Sequence, residues 1–165
     1  MSNHPMRLMI DTNVWLDNYC GWHEGNASCR DLLKLARRRG YELYYPVHAL
    51  KDVLYLIGIE YKRQVRGLTG TLTEAQATAA QETALGCIRN LMELATAVGA
   101  DGSDIWLAEK YLPIHHDFED NLVLAACKRI KADYLITKDA KLIKNADVLA
   151  KTPAQMIALM EMNTL

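Results

Sequence analysis

Short apolar segments alternate with helical patterns along this chain of 165 residues. The apolar segments have the length and composition of buried strands, and they cover residues 7–10, 42–46, 133–137 and 148–150. The helical patterns repeat apolar residues every three or four positions, and they cover residues 26–40, 47–59, 73–97, 103–112, 117–130 and 152–162. This alternation predicts an α/β fold, in which helices flank a doubly wound, mainly parallel sheet on both faces.

Two neighbouring segments in the middle of the chain define a predicted helix boundary. Residues 62–71 are basic and contain glycine, so we interpret them as a connection. A capping box at Thr71 and Glu74 is then predicted to start the helix that carries an alanine-rich stripe from Ala77 to Ala95.

Length and charge limit the class of protein. The chain is long enough to bury a core, and we predict one domain over residues 1–165. The net charge of −1 neither requires nor excludes a nucleic-acid partner, so a site for one has to be local. No apolar run reaches the roughly eighteen residues of a membrane span. The four cysteines form no CxxC pair, which predicts reduced thiols in a cytoplasmic protein and argues against zinc.

Carboxylates follow three predicted strands. Asp11 comes directly after the first strand, and Asp139 comes directly beyond a later one. Asp117 and Asp120 lie three residues apart at the start of a helix, so they share one helix face. Asp52 lies in the helix after the second strand. Because ligands of open α/β sheets bind at the carboxyl ends of the strands, we expect these side chains to converge.

Each of these residues also has a simpler explanation when it is taken singly. Asp11, Asn13 and Asp117 are of types that cap helices, Asp139 suits a turn, and Asp52 can face water on a half-exposed helix. Convergence of these side chains favours a metal site over the simpler explanations, because neighbouring carboxylates repel one another unless a cation lies between them. An all-oxygen ligand set favours a hard ion, Mg²⁺ or Mn²⁺, of the kind that serves phosphodiester hydrolysis.

Four motifs, three of which contain these carboxylates apart from Asp52, resemble those of PIN-domain ribonucleases, a family that includes toxins of bacterial toxin–antitoxin pairs. They are MIDTNVWLD (9–17), DFEDNLVLAAC (117–127), DYLITKDAKL (133–142) and TPAQMIALM (152–160). The resemblance implies a PIN-like fold with an acidic pocket that binds Mg²⁺ or Mn²⁺ and cleaves RNA. It also implies an antitoxin protein as a partner and a homodimer.

Residue by residue, the resemblance implies a catalytic set of four acids, which are Asp11, Asp52, Asp120 and Asp139. Asp11, Asp120 and Asp139 match the family's first, third and fourth acids, and we expect them to hold the metal. Asn13 matches the position that orients the first acid, and Thr137 matches a hydroxyl neighbour of the last acid. Asp117 is an accessory candidate.

The sequence departs from the family pattern at three places. Asp52 stands where the family has Glu, and it is one methylene shorter. Asn121 follows the third acid, where a small residue is typical. Residues 62–99 are longer than a minimal member carries, which predicts an extended helical insert.

Two other functions stay open at the sequence level. The first is a catalytically weakened PIN-like module that binds RNA or protein, which the Asp52 substitution favours. The second is a phosphate-handling α/β protein with Asp11 as nucleophile, although Asn13 stands where dehalogenase-type chemistry needs another acid.

Further candidates concern binding of RNA and of partners. Phosphate contacts are assigned to four basic residues whose simpler explanation is solvated surface: Lys138, Lys141, Arg63 and Arg66. The stripe in residues 73–97 packs in the domain's own core by default, with a dimer mate or an antitoxin helix as alternatives.

Overall fold

The computed structural model describes residues 4–22 and 26–162. Within these ranges the strands are β1 (Arg7–Ile10), β2 (Glu42–Pro46), β3 (Thr96–Val98), β4 (Tyr134–Ile136) and β5 (Ala150–Lys151). They form one sheet in the spatial order β3-β2-β1-β4-β5, and each pairing between neighbours is parallel. The predicted mainly parallel, doubly wound sheet is therefore confirmed.

The same residues form eight α-helices around the sheet. They are α1 (Thr12–Tyr19), α2 (Ala27–Arg38), α3 (Leu50–Thr69), α4 (Glu74–Leu94), α5 (Gly102–Tyr111), α6 (Phe118–Ile130), α7 (Ala140–Asn145) and α8 (Pro153–Met162). A 3-10 turn, Val47–Ala49, precedes α3. Within the described residues, none of these helices has both the length and the apolar character to cross a membrane. All four cysteines are free thiols.

Both faces of the sheet are buried under helices. Leu8 and Ile10 of β1 belong to one core, together with side chains of α1, α2, α3, α4 and α8. Met9, which lies between them, belongs to a second core with Val123 and Leu124 of α6. Because successive side chains of a strand point to opposite faces, this alternation shows that β1 is covered on both sides.

The chain reverses its direction of travel across the sheet between β1 and β4. From β1 it proceeds to β2 and β3 on one side, and it then crosses to β4 and β5 on the other. Ile10 and Ile136, which end β1 and β4, lie side by side in the register. The connections after these strands diverge, which leaves a crevice of the kind that binds ligands in doubly wound sheets.

The helix after β2 was predicted over residues 47–59, but α3 starts at Leu50, after the 3-10 turn, and extends to Thr69. Residues 62–69, interpreted as part of a connection, belong to α3, which ends at Gly70 with φ of 74°. The helix continues because it packs along α4, and because its basic residues lie on an outer face, where Arg63 pairs with Glu60 at 2.6 Å. A basic, glycine-containing segment was therefore a poor signal for a connection, and the real stop is the left-handed glycine.

The next helix, α4, starts two residues later than predicted. Its N-cap is Thr73, whose hydroxyl accepts the N–H of Gln76 while the Gln76 side chain accepts the N–H of Thr73. The predicted capping box at Thr71 and Glu74 is wrong, because the N-cap lies two residues further along the same polar segment. The stripe of α4 packs in the core through Ala80, Ala84, Ile88 and Leu91, as expected by default.

Three short elements have no counterpart in the prediction. They are α1, β3 and α7, which contain 8, 3 and 6 residues. Elements this short show too few turns or alternations for a pattern, and β3 depends on its pairing with β2, a distant segment. Because β3 lies within residues 62–99, the end of the predicted helical insert is part of the sheet.

Candidate active site

Asp11 lies directly beyond β1, where it caps α1. Its Oδ1 accepts the backbone N–H of Thr12 at 2.7 Å. Its Oδ2 accepts Nδ2 of Asn13 at 2.8 Å and the hydroxyl of Thr137 at 2.6 Å. The side chain is buried, so these three donors replace the water that a carboxylate loses on burial.

Asn13 and Thr137 join the connection after β1 to the connection after β4. Oδ1 of Asn13 accepts the N–H of Lys138 at 3.1 Å, and its Nδ2 lies 3.2 Å from the Thr137 hydroxyl. That hydroxyl also accepts the N–H of Asp139 at 3.0 Å. Asp139 in turn caps α7 through Oδ1, which accepts the N–H groups of Lys141 and Leu142. The two carboxylates are thus held by one hydrogen-bond network.

Asp120 lies in the first turn of α6, opposite the strand ends. Asp117 is the N-cap of this helix, and its Oδ1 accepts the N–H groups of Glu119 and Asp120. Oδ2 of Asp120 lies 3.1 Å from Nε2 of His115. The capping role of Asp117 is therefore structural in the first place, while its accessory role stays a prediction.

Five carboxylates line one cavity of about 480 Å³, which we call the acidic cleft. They come from four separate parts of the chain, and they are Asp11, Asp52, Glu119, Asp120 and Asp139. Asn13 lines the same cleft, Asp117 lines a neighbouring cavity, and Thr137 is fully buried behind the cleft. Over residues 4–22 and 26–162, no three His, Cys, Asp or Glu side chains are close enough to form a ready-made metal site.

Glu119 was not predicted as a site residue. The pKa of its carboxyl is raised by burial, and next by the negative charge of Asp52. Asp52 also forms an ion pair with Lys51, whose Nζ lies 2.7 Å from Oδ1. The sequence signal for Glu119 was its place in DFED beside Asp120, but its proximity to Asp52 depends on how α3 and α6 are arranged.

Burial is the main reason why the pKa values of Asp11 and Asp120 are raised. Burial, followed by the charges of Asp117 and Asp11, raises the pKa of Asp120 to about 6. Burial also raises the pKa of Asp11, and its hydrogen bonds with Thr137 and Thr12 oppose that rise. Removal of a carboxylate from water disfavours its charged form, and neighbouring carboxylates add to that effect.

Asn121, which departs from the family pattern, has a structural role beside Asp120. Its side chain is fully buried, and its Nδ2 donates to the carbonyl oxygen of His115 at 2.8 Å. This contact anchors the segment that leads from α5 into α6, including the histidine beside Asp120.

The basic candidates for phosphate contacts have different surroundings. Nζ of Lys138 forms an ion pair with Asp17 of α1, and Arg63 pairs with Glu60. Lys141 lines the cavity next to the acidic cleft. We call this second cavity the histidine cavity; its lining residues are Ile114, His115, His116, Asp117, Asp120, Asp139, Lys141 and Asn145.

Comparisons with known proteins identify similar sequences and structures. A family model described as the PIN domain matches residues 7–141. The crystal structure of VapC20 from Mycobacterium tuberculosis, described as a sarcin–ricin loop cleaving toxin, matches with a TM-score of 0.57. The match covers 86% of this chain and 97% of VapC20 at 14% identity, so it shows a shared fold. No curated protein sequence matches the chain significantly.

Proposed function

Because the chain belongs to the PIN-domain family of nucleases, we propose that it is a metal-dependent endoribonuclease that hydrolyses RNA phosphodiester bonds. One observation carries this proposal. Asp11, Asp120 and Asp139, which are distant in the sequence, line the same cleft beside the switch point of the sheet. A site of this kind suits a reaction in which several carboxylates act on one phosphate group.

The donor chemistry of the cleft fits Mg²⁺ or Mn²⁺. The lining carboxylates offer oxygen ligands only, which hard divalent ions prefer. The pKa of Asp120 is raised first by burial and then by the negative charges of Asp117 and Asp11, and a bound cation would favour its charged form. Asp11, Asp120 and Asp139 would hold the ion, with Asp52 and Glu119 beside them. When bound, the ion supplies positive charge at the phosphodiester and lowers the pKa of water.

The chain's own residues orient the acids for this role. Thr137 and Asn13 hold Oδ2 of Asp11, and Thr137 also accepts the N–H of Asp139. Asp52 stands where the family has Glu, and Glu119 supplies a longer carboxylate next to it. We infer that this pair together takes the role of the family's second acid.

A toxin role is the second part of the proposal. The fold shared with VapC20, a toxin described as cleaving the sarcin–ricin loop, supports it. On this proposal the chain acts in the cytoplasm, forms a homodimer and is inhibited by an antitoxin protein.

The nucleophile alternative is less compatible with the surroundings of Asp11. Both oxygens of this carboxylate accept hydrogen bonds, and two donors converge on Oδ2. Donors that stabilise the carboxylate charge also reduce its reactivity toward phosphorus.

The test is cleavage of a mixed RNA pool by the wild type and by Asp11→Asn, with Mg²⁺, Mn²⁺ or EDTA. We expect the wild type to cut only with a metal ion, and Asp11→Asn to lose cutting while it stays folded. Asp31→Asn, an exposed change on α2, is the matched control and should cut normally. RNA that stays intact with Mn²⁺ and wild-type protein would contradict the proposal and favour the binding-module alternative.

A further inference from the structure

The acidic cleft offers little positive charge to an RNA strand. Among the described residues that line it there is no Lys, Arg or His. At its rim, Lys51 is engaged with Asp52. Since every nucleotide adds a negative phosphate, a strand that reaches these acids needs positive charge beside the cleft.

The histidine cavity brings one lysine and two histidine side chains directly next to the acids, and Asp117 also lines it. Asp120 and Asp139 line both cavities, so they form the wall between them. The cavity has a volume of about 480 Å³ and adds His115, His116 and Lys141 to its lining. Ile114, which is 63% exposed, adds an apolar surface.

The backbone of this cavity is fixed relative to the acids. The N–H of Lys141 donates to Oδ1 of Asp139 at 2.7 Å, so the start of α7 is tied to that carboxylate. On the opposite wall, Asn121 holds the carbonyl of His115, whose ring lies against Asp120. The backbone of Lys141 is therefore tied to one acid, and the backbone of His115, which precedes His116, is anchored beside another.

Lys141 differs from the other basic candidates in that it lines a cavity beside the acids. Lys138 is paired with Asp17, and Arg63 is paired with Glu60. Neither of these residues, nor Arg66, is among the described residues that line the two cavities. The side chain of Lys141 is exposed and lines the histidine cavity.

We propose that the histidine cavity holds the nucleotide next to the scissile phosphate of a bound RNA strand. Lys141 and His116 contact the phosphate of that nucleotide, and Ile114 contacts its base. The inference rests on the proposed function, because it assumes that RNA is the substrate at the acidic cleft. It assigns Lys141 and His116 as substrate-binding residues and makes the wall of Asp120 and Asp139 the point where the strand is cut.

The test measures RNA binding separately from cleavage. In the Asp11→Asn background with Mg²⁺, binding of a short fluorescein-labelled single-stranded RNA of mixed sequence is followed by fluorescence anisotropy at several salt concentrations. Lys141→Ala and His116→Ala are the test variants, and Lys141→Arg is the conservative variant. Lys144→Ala is the matched control, since Lys144 lies on the same helix and is exposed.

We expect Lys141→Ala to raise Kd about twofold to fivefold, as loss of one exposed ionic contact does. The negative slope of the logarithm of the association constant against the logarithm of salt concentration should become shallower by about 0.7, the value for one phosphate contact to a single strand. His116→Ala should also raise Kd. Lys141→Arg should retain binding, and Lys144→Ala should change neither Kd nor the slope.

The outcomes separate this inference from the proposed function. Equal effects of Lys141→Ala and Lys144→Ala would overturn the subsite and leave the nuclease proposal standing. No RNA binding by the Asp11→Asn parent would overturn the subsite, while the nuclease proposal would still be decided by cleavage with the wild type. Binding that depends on Lys141, in a protein whose wild type cuts no RNA, would support Lys141 as an RNA contact and overturn the nuclease proposal, and with it the assignment of a cutting point.

Discussion

At the scale of residues, the geometry of the site depends on one hydroxyl. Thr137 is fully buried, and it donates to Asp11 while it accepts from Asn13 and from the N–H of Asp139. The two junctions that carry the first and last acids therefore meet at a single oxygen atom.

Thr137→Val keeps the shape of this side chain and removes its hydrogen bonds. We expect the free energy of unfolding to fall by about 1–3 kcal/mol, because buried donors lose their acceptor. The pKa of Asp11 should rise further, since its charged form loses a donor. Urea denaturation measures the first effect. Thr83→Val, an exposed change on α4, is the control, and an equal loss in both variants would contradict this role.

Asn121 is the second residue whose role is local. Asn121→Ala introduces the small side chain typical of the family and removes the donor to the carbonyl of His115. We expect unfolding free energy to fall by about 1–3 kcal/mol, because that carbonyl loses its partner. Asn90→Ala, at an exposed position of α4, should cost less in the same urea titration. A smaller loss for Asn121→Ala than for Asn90→Ala would show that the anchor is unimportant.

At the scale of elements, α1 is tied to the connection between β4 and α7. Asp17 of α1 is buried and pairs with Lys138, whose N–H also donates to Asn13. This pair explains why Lys138 is directed away from the acidic cleft, although it lies between Thr137 and Asp139.

A double-mutant cycle with Asp17→Asn and Lys138→Met measures how strongly these elements are coupled. We expect a coupling energy of about 1–3 kcal/mol in unfolding free energy, because Asp17 is buried. The matched pair Glu60→Gln and Arg63→Met, within one helix, should give about 0.5 kcal/mol or less. Coupling energies of the same size in both cycles would contradict a tie between elements.

At the scale of the whole molecule, a chain of net charge −1 concentrates negative charge at one cleft. Asp11, Glu119 and Asp120 all have pKa values above their ordinary ones, with burial as the first cause. Burial and crowding of these carboxylates therefore lower the stability of the fold, and a bound cation would offset part of that loss.

The pH dependence of stability follows from these shifts. For Asp120 the pKa rises from 3.8 when unfolded to about 6 when folded. Between these values the folded protein binds more protons than the unfolded protein, so this residue's contribution to stability falls as pH rises. We expect Asp120→Asn to stabilise metal-free protein more at pH 7 than at pH 4, in urea titrations with EDTA. Asp31→Asn should show no such trend, and a pH-independent effect of Asp120→Asn would contradict the shift.

The sequence predicted the parts of this molecule that depend on local patterns. The strands at residues 7–10 and 42–46 and the helix cap at Asp117 were readable because each has a short signature, whereas Asp139 was interpreted as a turn residue and caps α7. The strand β3 and the cavity contact of Glu119 were not, because each depends on a segment that is distant in the chain. The length of α3 was missed because packing on α4 outweighs its basic, glycine-containing composition.

The most direct test of the central claim is titration of the protein with Mn²⁺, followed by electron paramagnetic resonance. The claim is that Asp11, Asp120 and Asp139 share one divalent ion. Wild type and Asp31→Asn should then bind Mn²⁺ equally, and Asp11→Asn, Asp120→Asn and Asp139→Asn should each weaken binding by more than about tenfold. Unchanged Mn²⁺ binding in the three substituted proteins, with their helical content intact by circular dichroism, would contradict it.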